Sequence, residues 1–242
     1  MNIGLIFAGG SGTRMNTKSK PKQFLEMNGK PIIIHTIEYF ENCSEIDKIV
    51  VVCISDWIDR FSRMLQKYNI TKVGKVVPGG ETGQLSIYNG LNAAREVAGD
   101  EYDNSIILIH DGVRPLISEQ LIIDNINMVK EKGTAITVTP ATETIIQVND
   151  NKEVSNVVDR NSCYTAKAPQ SFFLKDILSV HEQALADGHN NMIDSATMMR
   201  TYGYVLNTVV GPVENIKITN PTDFYVFRSI YEARENSQIF GL

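Results

Sequence analysis

Apolar positions come in short, nearly unbroken runs separated by stretches of helical period. Ile3 to Ala8, Lys48 to Ile54, Ser105 to His110 and Thr134 to Val138 are rich in Ile, Val and Leu and barely alternate. Runs of that kind form parallel strands buried on both faces. Between them, 31–40 carries Ile33, Ile37 and Phe40 on one stripe behind Pro31, a residue favoured in the first helical turn. Ser118 to Lys130 opens on a serine cap and carries Leu121, Ile122, Ile126 and Val129. Residues 56–68 and 82–98 also read as helices. This alternation predicts an α/β, doubly wound, mostly parallel Rossmann-like sheet.

The rhythm breaks after Pro140. Thr144 to Val148 and Val154 to Val158 are strand-like and flank Asn149-Asp150-Asn151-Lys152, a hairpin signal. One domain over 1–242 is therefore expected, with 141–160 a projecting β-arm that either embraces a second subunit or stands as a solvated flap. Asn220-Pro221-Thr222-Asp223 supplies a cap, a first-turn proline and a first-turn acid. The helix it opens carries Phe224, Phe227 and Tyr231 at helical spacing, and should lie on the sheet.

Composition narrows the class. The 242 residues are 43% hydrophobic with a net charge of −5, which suits one globular α/β unit and no nucleic-acid coat. No apolar run approaches the roughly 20 residues that span a bilayer, and the N-terminus lacks a basic leader. A cytoplasmic protein with no membrane partner is expected. Cys43, Cys53 and Cys163 are scattered, with no CxxC spacing, which predicts free thiols and no zinc site.

The chemistry concentrates at strand ends. Gly9-Gly10-Ser11-Gly12-Thr13-Arg14-Met15 follows the first strand directly, where α/β sheets bind ligands. Glycines let the backbone approach phosphates and form an anion nest. Met15 replaces the third glycine of a dinucleotide fingerprint, and Gly12-Thr13-Arg14 is not a Walker motif. An NAD-dependent oxidoreductase is thereby disfavoured, while a non-catalytic nucleotide-binding protein stays open. Arg14 and Lys22, the latter stiffened by Pro21, are the candidate phosphate cations; Lys18 and Lys20 read as surface charges. Asp111, in Ile109-His110-Asp111-Gly112-Val113-Arg114-Pro115, closes another strand where one carboxylate can hold magnesium beside a triphosphate. Arg114 can fix this loop or neutralise charge. Asp194 is either a second acid near the site or a helix cap.

The run Ala8-Gly9-Gly10-Ser11-Gly12-Thr13-Arg14-Met15 followed by Pro21-Lys22-Gln23-Phe24 resembles the signature of the sugar-phosphate nucleotidyltransferases. In its Pro-Lys-Gln-Phe form it resembles the cytidylyltransferases acting on methylerythritol phosphate and on ribitol 5-phosphate. The likeness runs through nearly the whole chain. It implies that Ala8, Gly9, Gly10, Gly12, Thr13, Gly112 and Arg114 contact nucleotide, and that Asp111 binds the metal, Mg2+. It assigns Gly80 and Ser86, in the loop after Val77-Pro78, to the cytosine and ribose; Gly83 departs from the arginine usual there. It gives Arg160 and Lys217 to the phosphate of the acceptor, and places Thr144 at the substrate across a homodimer interface formed by the arm. Ala168-Pro169-Gln170 replaces the usual Thr-Pro-Gln.

The activity implied is transfer from CTP to an alditol phosphate with release of pyrophosphate. Pro21 to Glu26, His35 to Glu38, Asp56-Trp57 and Val113 to Pro115 lean toward the ribitol 5-phosphate branch. The methylerythritol phosphate enzyme of isoprenoid synthesis is the alternative. An acceptor phosphate with a second pKa of about 6 is already a nucleophile. No general base is needed, and catalysis rests on positioning and charge, with Arg14, Lys22, Arg160 and Lys217 as catalytic cations.

Overall fold

The computed structural model describes residues 1–10 and 20–240, with side chains as far as 236. A seven-stranded sheet organises it, in the order β11-β7-β10-β6-β1-β4-β5. The central strands are β1 (Asn2–Ala8), β4 (Lys48–Cys53), β5 (Val73–Pro78) and β6 (Ile106–Asp111). They run parallel, β1 pairing β4 on one side and β6 on the other. β7 (Thr134–Pro140) and β11 (Thr208–Val210) are parallel to each other, and β10 (Tyr164–Phe173) lies antiparallel between β7 and β6. The doubly wound, mostly parallel sheet expected from the apolar runs is present.

Period-two alternation divides the buried side chains between two faces. Ile6, Ile49, Val51 and Leu108 pack with α1 (Ile32–Asn42), α2 (Ile58–Lys67) and α4 (Glu119–Lys132). Ile3, Leu5, Val50, Val52 and Ile107 pack with α3 (Gly83–Ala98), α5 (Leu174–Ala186) and α6 (Ser195–Thr201). Both faces being covered explains why these strands read as continuous apolar runs. The caps form as their sequences imply: Ser118 accepts from the Leu121 amide, Thr82 from that of Leu85, and Asp194 from that of Thr197. Pro31 stands one place earlier than expected, at the N-cap of α1 and within a short hairpin of β2 (Glu26–Met27) and β3 (Lys30–Pro31). Cys43 and Cys53 are buried free thiols, and Cys163 is a half-buried one.

β8 (Ile145–Val148) and β9 (Val154–Val158) form the expected arm as a separate two-stranded sheet. Ile146 pairs with Val157 and Val148 with Val154. Directly opposed residues share a face, so these four aliphatic side chains, all half exposed or more, line one side of the arm.

The last helix, α7 (Pro221–Phe240), does not lie on the sheet as expected. Its fully buried Phe227 joins Met27, Ile32, Val113, Leu116 and Ile218 in a third cluster. The aromatic stripe therefore packs beneath three loops, those following Lys22, Asp111 and Lys217. The entry to α7 is a reciprocal cap: Asp223 accepts from the amides of Thr219 and Asn220, while its own amide donates to Asn220 Oδ1. Truncating Phe227 should lower stability by about 3–5 kcal/mol. Urea unfolding of Phe227→Ala should show this as a lower midpoint; an unchanged midpoint would mean that α7 does not clamp these loops.

Candidate active site

The strand order reverses between β1 and β6, and such a switch point leaves a crevice at the strand carboxyl ends. The structure has a cavity there of about 190 Å³, bounded by β1, β6, β10, α3, α5 and the approach to α6. Close backbone packing brings the loops of the crevice together. The Gly112 amide donates to the Phe7 carbonyl at 2.9 Å, and a Cβ on Gly112 would stand 3.2 Å from that of Ala8. Gly9 faces Gly79, and a Cβ on Gly80 would meet that of Leu85 at 2.7 Å. Gln23, fully buried, donates to the carbonyls of Ala8 at 2.7 Å and Gly10 at 3.3 Å. That bond ties the short helix Lys22–Phe24 to the glycine turn, and Phe24 stacks on Trp57 with centroids 4.5 Å apart. Gly12, Thr13 and Arg14 lie outside the described residues. Lys20 pairs with Glu26 at the surface, as expected of a solvated charge.

Asp111, the last residue of β6, is the electrostatic centre. Arg114 Nε donates to its Oδ2 at 2.8 Å and Lys217 Nζ contacts its Oδ1 at 2.6 Å. Burial alone would push this carboxyl up; the Lys217 ammonium and then the Arg114 guanidinium outweigh it and hold the group well below the usual carboxylate range. Lys217 arrives on an irregular segment fixed by Asn215. The Asn215 side-chain amide donates to the Ala168 carbonyl at 2.7 Å, and the Asn215 backbone carbonyl accepts from Arg114 Nη1 at 2.9 Å. The Ile218 amide then donates to Val113. Lys167 also lines the cavity; burial and the neighbouring Arg114 lower its pKa. Its Nζ donates to the Val213 carbonyl at 3.1 Å. Two cations thus hold one carboxylate and a third lines the same cavity, an arrangement suited to an incoming anion.

Other expected site residues have different surroundings. Ser86 is engaged within its own loop, its Oγ accepting from the Gly80 amide at 2.9 Å and donating to the Thr82 carbonyl at 2.8 Å. It shapes the Gly79-Gly80 turn rather than presenting a hydroxyl. A side chain at Gly83 would project into open space, and the helix it opens forms on the Thr82 cap. Arg160 is exposed at the foot of the arm, where Nη1 donates to the Thr142 carbonyl, and it does not line the cavity. Thr144 is exposed just before β8. Thr144, like Arg160, is not part of the lining of its own chain's cavity. Asp194 proves to be both things weighed for it: it caps α6 and lines the cavity.

Among the described residues, no group of three or more His, Cys, Asp or Glu could hold a metal. The Asp111 oxygens each keep a lone pair beyond the ion pairs. This fits a magnesium ion held by one carboxylate and mainly by substrate oxygens, and not a resident all-protein site. Sequence reading missed Lys167, Asn215 and Gln23. Lys167 stands between Ala166 and Ala168 with no motif of its own, and only its place beside Ala168-Pro169-Gln170 hinted at it.

A cationic cavity at the switch point of a parallel sheet, beside the Gly9-Gly10 pair that follows β1, suits a phosphate-bearing ligand, and comparisons with known proteins place the chain in the nucleotidyltransferase class. The family model for IspD, 2-C-methyl-D-erythritol 4-phosphate cytidylyltransferase, matches residues 3–232, and the chain belongs to that family. It is 57% identical, over the full length of both chains, to the ribitol-5-phosphate cytidylyltransferase of Streptococcus agalactiae serotype III (strain NEM316). It is 53% identical, again over both full lengths, to that of Vibrio parahaemolyticus serotype O3:K6. The fold is similar to the crystal structure of 4-diphosphocytidyl-2C-methyl-D-erythritol synthase from Anaerococcus prevotii, with a TM-score of 0.82, 27% identity and 96% of each chain covered. Among the described residues, no helix is long and apolar enough to cross a membrane.

Acid should expose the buried histidines. Burial lowers His110 and His181 from 6.5 to about 4. The unfolded chain therefore binds up to two more protons between those values. Stability is complete above pH 6.5 and falls as the pH drops toward 4, by about 1.4 kcal/mol per unit for each proton. Urea midpoints at pH 7, 5.5 and 4.5 should fall in that order; a flat series would contradict the burial of these rings.

Proposed function

We propose that the protein transfers the cytidylyl group of CTP to D-ribitol 5-phosphate, giving CDP-ribitol and pyrophosphate. The observation that carries this reading is one crevice at the end of β6 in which Arg114 and Lys217 hold Asp111 and Lys167 adds a third cation to the lining. The acceptor follows the relatives: those named for ribitol 5-phosphate are 53% and 57% identical across the whole chain, against 27% for the synthase of similar fold named for methylerythritol.

In this reading an oxygen of the acceptor phosphate bonds to the α-phosphorus of CTP. The bond from that phosphorus to the bridging oxygen breaks, and pyrophosphate leaves with the electron pair. No side chain needs to take a proton, because the acceptor phosphate is largely dianionic near neutral pH. The difficulty is the meeting of two anions, so positioning and fixed positive charge supply the catalysis. Arg114, Lys167 and Lys217 hold the acceptor phosphate. Arg14 and Lys22 act on the triphosphate, and Gly9, Gly10 and Gly12 admit it closely. Asp111 orients Lys217 and Arg114 and offers a ligand to magnesium, which when bound neutralises charge on the triphosphate.

The apolar side of the arm supports a homodimer. Ile146, Val148, Val154 and Val157 form an exposed sheet face that a second copy would cover, and Arg160 and Thr144 at its foot would then serve the neighbouring crevice. Ile146→Asp with Val157→Asp should convert a dimer into a monomer in analytical ultracentrifugation. A wild-type monomer at micromolar concentration would refute this assembly.

Pyrophosphate release with CTP and magnesium should be faster with ribitol 5-phosphate than with methylerythritol 4-phosphate. Lys22→Ala should lose about 100-fold or more in turnover while keeping the wild-type melting temperature. Pyrophosphate release with neither acceptor, or near-normal turnover by Lys22→Ala, would contradict the reading.

A further inference from the structure

The cations share the cavity with an apolar wall contributed by Ile87, Met192 and Met198, on α3, before α6 and on α6. Two of the polar side chains in its lining have no hydrogen-bond partner among the described residues. His181, on the inner face of α5, is 1% exposed, and neither ring nitrogen has a hydrogen-bond partner among the described residues. Ser195, the first residue of α6, is 2% exposed, and its Oγ is likewise without a partner. Both line the cavity. Native proteins leave few buried polar groups unsatisfied, and those that remain call for a reason.

The surrounding polar groups do not supply one. Gln170 donates to Asp194 Oδ2 and accepts from the Ala196 amide, so both ends of its side chain are engaged. The other Asp194 oxygen caps α6. Gln84 bridges the His189 carbonyl and the Met192 amide. The Tyr88 ring lies nearly parallel to His181, with centroids 6.0 Å apart, and offers the imidazole a face rather than a partner. Burial keeps the ring neutral, with a pKa of about 4. At neutral pH it therefore presents one donor and one acceptor, and Ser195 presents a hydroxyl able to do either.

We infer that His181 and Ser195 form a hydroxyl-reading subsite that takes the polyol end of the acceptor while its phosphate sits against the cations. The inference rests on the alditol phosphate reading above. A neutral donor–acceptor pair in an apolar wall suits an alcohol, which both gives and takes a hydrogen bond, and gives no counter-charge to a second anion. A pocket built to bond a hydroxyl rejects analogues that lack it, because its own polar groups then stay unpaired. The two residues thus set specificity, and take no part in the bond changes.

Steady-state kinetics of wild type, His181→Phe and Ser195→Ala with saturating CTP and magnesium test this, using ribitol 5-phosphate and 1-deoxyribitol 5-phosphate as acceptors. Wild type should favour ribitol 5-phosphate. Each variant should raise the KM for ribitol 5-phosphate about tenfold, the worth of one neutral hydrogen bond. KM for CTP should not move, and the preference over the deoxy acceptor should shrink. Both variants should melt at or above the wild-type temperature, since an apolar replacement removes an unpaired buried group. Unchanged acceptor KM and unchanged preference in both folded variants would overturn the subsite. If His181→Phe fails to fold, Ser195→Ala decides by the same readouts. A wild type inert toward ribitol 5-phosphate but active on methylerythritol 4-phosphate would overturn the functional reading itself, and this subsite with it.

Discussion

The Asp111 carboxylate is held between Arg114, one turn further along its own loop, and Lys217, from the far end of the chain. Burial alone would raise the pKa of this carboxyl, and the two cations without a carboxylate between them would repel each other. Together they form a fixed constellation that keeps net positive charge. Side chains so pinned lose little further freedom when an anion arrives, and in a low-dielectric crevice their charge acts strongly. The rest of the molecule serves to keep these three groups in register.

Two structural devices do so. The parallel sheet brings the ends of β1 and β6 side by side, and Gly112 allows the contact to be close. The Phe227 cluster then grips the segments that follow Lys22, Asp111 and Lys217 from below. Sequence-distant loops thus share one apolar support. Asn215 finishes the alignment by bonding β10 with its side chain and Arg114 with its carbonyl. A fold shared with enzymes of other substrates does not fix the acceptor. The acceptor is decided by what lines the cavity.

Much of this was legible in the residues because local signals and tertiary packing agreed. The four apolar runs became strands covered on both faces, and Ser118 and Asn220 cap the helices their sequences announce. Asn149 to Lys152 marks the arm's turn. β10 was hidden because Pro169 interrupts it, and a proline argues against a central strand. It is accommodated where the register with β7 shifts between Ala166 and Gln170. β5 was hidden because it is an edge strand broken by Gly74 and Lys75. The direction of the α7 stripe could not be read, since spacing identifies an apolar face and not what covers it. At the site, glycines and cations announced phosphate chemistry. The engagement of Ser86 with its own loop and the contribution of Lys167 depend on contacts between segments far apart in sequence.

The most direct test of the central claim is a crystal structure of the protein with CDP-ribitol and magnesium. The account predicts the ribitol phosphate against Arg114, Lys167 and Lys217, with the cytosine at the Gly79-Gly80 turn. Product bound elsewhere, with the Asp111 constellation facing only solvent, would contradict it.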